Sequence, residues 1–118
     1  MSERRKIADA RGREAEAQAA RWLEKQGWRI LDRRRKTPLG EIDLVASKKG
    51  IVAFVEVKWR KSAEQLDIAI DAWRLQRVAA AVESVAHEYA TKGEDIRIDV
   101  ILLAPDAAPR HIVNATMG

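Results

Sequence analysis

An α/β fold, with a mixed sheet flanked by helices, is the class this sequence predicts. Two long segments carry apolar residues at helical spacing, and shorter segments alternate or run apolar as strands do. The two kinds interleave in the order α-β-β-β-α-β-β, which suits strands that share one core with covering helices. The 118 residues fit one domain, 1–118, with a single modest core.

Residues 3–26 form the first predicted helix, with an apolar stripe of Ile7, Ala8, Ala15, Ala19, Trp22 and Leu23 and with Gly27 as its C-terminal cap. Residues 28–32 read as a short strand, and 33–40 as a basic loop carrying Pro38. Residues 41–47 and 51–59 read as strands joined across Lys48-Lys49-Gly50. Asp71 is placed to cap a second helix over 72–91, whose inner stripe is Leu75, Val78, Ala79, Val82, Ala86 and Tyr89. Lys92-Gly93 ends that helix, which serves as a crossover between strands. Residues 96–103 are the most strand-like stretch of the second half, and 110–114 form a short closing strand.

Composition narrows the chemistry. No cysteine is present, which excludes disulfides, thiol nucleophiles and zinc ribbons. The N-terminus has no apolar block of the secretory kind, and the longest apolar runs are strand-sized, so a cytoplasmic protein without a membrane span is expected. Net charge is +4, unevenly spread: residues 1–62 hold 17 Lys/Arg against 9 Asp/Glu, and residues 63–118 hold 5 against 9. Arg33, Arg34, Arg35, Lys36, Lys48, Lys49, Lys58, Arg60 and Lys61 concentrate the excess. Such a half attracts polyanions through phosphate contacts that release counterions, and it is equally the composition of a solvated basic surface.

The hairpin carries the chemistry. With Lys49-Gly50 as a two-residue turn, Lys48 opposes Ile51, and counting along both strands sets Asp43 opposite Glu56 and Glu41 opposite Lys58. Period-two alternation puts these four on one face and Ile42, Leu44, Ala46, Ala53, Val55 and Val57 on the other, which reads as core. Carboxylates opposite one another, with Cβ atoms about 5 Å apart, repel, so something must offset them. Lys58 offers one positive charge; Mg²⁺ offers two and takes the hard oxygen ligands present. Metal-assisted phosphodiester hydrolysis uses such a set, since the ion polarises the phosphate and acidifies the attacking water, and a nearby lysine orients that water or stabilises developing charge. The pattern alone leaves two readings open: a metal site or an exposed charged sheet face.

Gly40-Glu41-Ile42-Asp43-Leu44-Val45-Ala46 followed by Phe54-Val55-Glu56-Val57-Lys58 resembles the YraN family, predicted nucleases related to archaeal Holliday-junction resolvases. Ala15-Glu16 with Ala19, Ala20 and Leu23, the stretch from Lys25 to Leu31, Ile98-Asp99-Val100 and His111-Ile112-Val113-Asn114-Ala115 extend the resemblance over most of the chain. It implies the restriction-endonuclease-like fold (PD-(D/E)XK), with Asp43 and Glu56 as metal ligands, Lys58 as the catalytic lysine, and Glu16 as a further acidic residue that ligates or positions the metal. Glu41 matches the motif and is also placed to pair with Lys58. The chain departs from the pattern in having Ala15 where Gly is common before the helix glutamate, Trp59 where Thr often follows the lysine, and Arg74-Leu75 where a Lys-Gln pair usually begins the second helix.

The expectation is therefore a nucleic-acid-binding endonuclease, dependent on Mg²⁺ or Mn²⁺, acting on DNA, structure-specific for branched or junction substrates, and a homodimer because a two-fold junction invites a two-fold protein. Arg33, Arg34, Arg35, Lys36, Arg60, Lys61, Arg74 and Arg77 are its candidate phosphate contacts. The alternative is a non-catalytic nucleic-acid-binding module of the same fold. Trp22 is expected in the core, Trp59 in packing at a strand end, and Trp73 in half-buried packing or on a base. His87 and His111, with no second histidine at ligand spacing, are expected to be structural or exposed.

Overall fold

The structure, a computed structural model, describes the backbone of residues 3–62 and 72–115 and the side chains of residues 11–62 and 72–115. The expected cap Asp71 and the side chains of Ile7 and Ala8 lie outside the described residues. The elements are α1 (Glu3–Lys25), β1 (Arg29–Thr37), β2 (Gly40–Lys48), β3 (Ile51–Trp59), α2 (Ala72–Tyr89), β4 (Asp95–Ala104) and β5 (Ala107–Ile112), in the α-β-β-β-α-β-β order the sequence predicts. The strands form one mixed sheet in the order β1-β2-β3-β4-β5, with only β3 and β4 parallel. Because α2 is the link between those two strands, it makes the crossover that a parallel pair requires. A mixed five-stranded sheet flanked by two helices is consistent with the restriction-endonuclease-like fold.

α1 ends where expected. Gly27, at φ +95°, adopts the left-handed conformation, and Trp28 N–H returns to the Leu23 carbonyl. The β2–β3 hairpin also follows the predicted register, with Lys48 opposite Ile51 and Leu44 opposite Val55. Lys49 (φ 47°) and Gly50 (φ +80°) both sit in the left-handed region, as a type I′ turn demands. Lysine tolerates that conformation less well than asparagine. We expect Lys49→Asn to stabilise the protein by about 0.5–1 kcal/mol, read as a higher urea midpoint with an unchanged slope.

Three expectations need correction. Residues 33–37 are strand rather than loop: β1 runs to Thr37 and pairs with β2 along its length. An edge strand half open to solvent tolerates a run of arginines, so its composition imitates a loop. Second, β5 begins at Ala107 rather than at 110. Pro109 cannot donate to a ladder, yet an edge strand accommodates it, with Ala104 opposite Ala107 across the Pro105-Asp106 turn.

Third, the sheet has no purely polar face. Leu44, Ala46, Ala53, Val55, Ile101 and Leu103 pack under Ala15, Ala19, Ala20 and Leu23 of α1. Val45, Val52, Phe54 and Ile98 pack under Val78, Ala81, Val82 and Val85 of α2. Ile42 joins this second cluster although it was expected beside Leu44, so the alternation of β2 breaks at Asp43. β1 is irregular at the same level. Arg34 lies between the pairs Arg33–Leu44 and Arg35–Ile42 and adopts φ 53°. Asp43 and Glu56 thus lie where β2 changes face, between sheet surfaces covered by α1 and by α2.

Candidate functional site

The site forms where β2 and β3 part. Regular pairing stops at Leu44–Val55, and one residue further on the Asp43 side chain accepts the Val57 N–H at 2.8 Å through Oδ2. The carboxylate thereby takes a position that a backbone carbonyl would fill in a continuing ladder, and the strands separate around it. α1 crosses this gap and sets Glu16 over it. One oxygen each from Glu16, Glu41 and Asp43 falls within 4.8 Å of the others. Glu56 projects from β3, where its Oε1 receives Arg74 Nε at 3.1 Å and Lys58 Nζ at 3.2 Å. Its Oε2 is buried and accepts no hydrogen bond among the described residues, and the same is true of Glu16 Oε1.

Burial sets the electrostatics. Asp43 is 8% exposed and Glu56 2%. Burial, with the charges of Glu56 and then Glu16 added, pushes the Asp43 carboxyl up to about 8, against the opposing Val57 N–H and Arg74. Burial also raises Glu16, while Arg34, 3.4 Å from it, pulls the other way. Four carboxylates here face three cations: Arg34, which also approaches Glu41 at 3.7 Å, Lys58 and Arg74. Two such anions about 5 Å apart repel by roughly 3 kcal/mol at an effective dielectric of 20. A buried Glu56 Oε2 without a hydrogen bond among the described residues, more carboxylates than cations and an all-oxygen donor set fit Mg²⁺ or Mn²⁺, which prefer hard carboxylate ligands.

The structure brings Asp43, Glu16 and Glu41 together and sets Glu56 and Lys58 beside them, with Glu56 held by Lys58 and Arg74. The basic residues divide. Arg34 and Arg74 serve as counter-ions inside the site, and Arg35 forms a two-pronged pair with Glu88 at 2.8 and 3.1 Å, tying β1 to α2. Arg33, Lys36, Lys61 and Arg77 are exposed, and Arg60 is half-buried. Trp73 is 63% exposed, not half-buried, with the Arg77 guanidinium 5.0 Å from its ring centroid. Trp59 packs partly against the α1 core, as its parity predicts, and carries Arg11 at 5.2 Å over its ring.

A third buried carboxylate, away from this site, carries no role in the sequence reading. Asp99, fully buried on β4, receives Arg97 at 3.0 and 2.8 Å, the Asn114 N–H at 2.9 Å, and lies 2.7 Å from His111 Nε2. Burial alone would raise its pKa, but the bonds from His111, Arg97 and Asn114 prevail and hold it at about 2. Trp22 and Trp28 meet the His111 ring edge-on, so His111 is structural, as expected. The signal was present: an aspartate in the middle of an apolar strand demands buried donors.

Residues 15–103 match a family model described as "Uncharacterised protein family UPF0102". A relative from Erythrobacter litoralis, named only as a UPF0102 protein, is 62% identical across 95% of this chain and 97% of its own length. Similar relatives occur in Sphingopyxis alaskensis (56% identical; 93% of this chain, 95% of its own length) and Rhizorhabdus wittichii (47%; 98% of each). Each spans this fold with little to spare at either end. With its motif strands, its acidic helix residue and this extent of identity, the chain belongs to the UPF0102 (YraN) family.

Proposed function

We propose that this protein is a divalent-metal-dependent endonuclease that hydrolyses phosphodiesters in DNA. The observation that carries the reading is a cluster of carboxylates, Asp43 and Glu56 buried and Glu16 and Glu41 half-buried, gathered at a break in a strand pair with a lysine alongside and with Glu56 Oε2 lacking a hydrogen bond among the described residues. Isolated surface acids would be solvated and an isolated buried ion pair would be closed; this arrangement is neither. Asp43 and Glu56 would hold the ion, with Glu16 and Glu41 ligating or positioning it. When bound, the ion would polarise the scissile phosphate and make attacking water more acidic.

The chain's own groups divide the remaining work. Lys58, half-buried and 3.2 Å from Glu56, would orient water or stabilise negative charge on phosphate. Arg34 and Arg74 neutralise the carboxylates while no cation is bound, and Asp43 does the same by keeping a proton. Exposed Arg33, Lys36, Lys61 and Arg77 supply phosphate contacts that position DNA without reading bases. A junction-cutting enzyme would act as a homodimer.

Nicking of branched, duplex and single-stranded DNA with Mg²⁺ or Mn²⁺ tests the proposal. Wild type should cleave, Asp43→Ala should not, and Lys58→Ala should lose about 10²–10³ in kcat while still binding DNA. Salt-sensitive binding without cleavage by any of the three would favour the non-catalytic module.

A further inference from the structure

Two hollows flank the end of β3, and Arg11 and Trp59 form the wall between them. The first, about 360 Å³, is lined on its polar side by Arg11, Lys58 and Arg60, with no acid among its described lining residues. The second, about 290 Å³, offers Glu14 and Gln18 as hydrogen-bonding groups beside the apolar surfaces of Ala15, Ala104 and Pro105. The wall itself is a cation–π pair: the Arg11 guanidinium lies 5.2 Å from the Trp59 centroid. Such a pair sets positive charge against a planar surface. Trp59 is fixed in place, since its strand pairs with β4 at Leu103 and Arg60 N–H continues to the Leu103 carbonyl at 3.0 Å.

These features match the parts of one nucleotide. A cationic hollow next to Lys58 suits a phosphate, and a mixed hollow with a planar wall, an acid and an amide suits a base with donors and acceptors on its edge. A ring enters such a slot only if it has left its own stack, because in continuous duplex both faces of each base are covered. We propose that the Arg11–Trp59 wall seats an unpaired base beside the reacting phosphate, so that the preferred substrate is DNA with an unstacked nucleotide at the cut. This rests on the nuclease reading and narrows its substrate class.

Binding measured by anisotropy in Ca²⁺ compares labelled splayed-arm DNA with intact duplex of equal length. In parallel, 2-aminopurine stepped along the unpaired arm reports stacking as a loss of fluorescence. Wild type should prefer the splayed substrate about tenfold and quench 2-aminopurine at one position; Trp59→Ala should lose both, and Trp59→Phe should keep most of each. Exposed Arg11→Ala should cut the preference several-fold, which supplies the same readout if Trp59→Ala does not fold. Wild type binding both substrates equally, or a folded Trp59→Ala that keeps the preference and the quenching, overturns the inference while leaving the nuclease reading intact. Failure to bind either DNA overturns both.

Discussion

Without metal at pH 8, Asp43→Asn should melt above the wild-type protein. The native carboxyl titrates near 8 and the unfolded one near its ordinary value of 3.8, so between those limits the unfolded state releases a proton that the native state retains. Stability of the metal-free protein therefore falls as pH rises from about 4 to about 8, and it levels off above. Asparagine removes the buried charge and still accepts the Val57 N–H, leaving the strand break in place. The gain at pH 8 should be roughly 2–4 kcal/mol, less than the full shift would give because neighbouring carboxylates also relax. Mn²⁺ should close most of that gap. A hundredfold excess over Kd stabilises a one-site protein by about 2.7 kcal/mol, and Asp43→Asn should forfeit most of that. Thermal melts at pH 5 and 8, with and without Mn²⁺, read all four arms. A variant that melts below wild type at pH 8 without metal would show that Asp43 is a structural residue and not a strained one.

Asp99 should behave in the opposite sense. Its folded pKa near 2 lies below the unfolded value, so its contribution is complete above about pH 4 and is lost as pH falls through 2. Asp99→Ala should cost about 3–5 kcal/mol at neutral pH, because Arg97, His111 and the Asn114 N–H lose their common acceptor inside the fold. That is a large share of a typical domain's stability, and the midpoint should drop by roughly 10 °C or more. Denaturation at pH 7 measures it, and a loss below 1 kcal/mol would mean that solvent reaches the cluster. The contrast between the two aspartates separates roles by partners. Asp99 has a donor for every need, whereas Asp43 faces other carboxylates. The first arrangement holds β5 to the sheet; the second costs stability that, on the proposed nuclease reading, a bound cation would restore.

Local chemistry made much of this legible. The Lys49-Gly50 turn fixes the hairpin register as far as Leu44–Val55 and so brings Asp43 and Glu56 to the same end of the hairpin. The strands part beyond that pair, and Glu41 approaches Arg34 while Lys58 pairs with Glu56, not the Glu41–Lys58 pair that the counting predicts. The stripe from Ala15 to Leu23 similarly fixes which side of α1 meets the sheet and leaves Glu16 at its margin. The basic stretch of β1 reads as a loop because an edge strand relaxes the compositional rule for strands. Trp73 is open to solvent, which removes the half-buried alternative, because a helical residue's burial depends on what lies opposite it.

The sequence by itself determined element order, the hairpin, the acidic set and the family, since these follow from periodicity, turn stereochemistry and motif spacing. Tertiary structure alone decided that the sheet is buried on both sides, that β2 changes face at Asp43, and that Arg34 and Arg74 reach the carboxylates from separate elements. It alone decided, too, that Arg11 and Trp59, far apart in the chain, form a cation–π pair beside Lys58. Each of these depends on contacts between distant residues, and burial, which converts an ordinary carboxylate into one that keeps its proton near neutrality, is a property of the assembled fold.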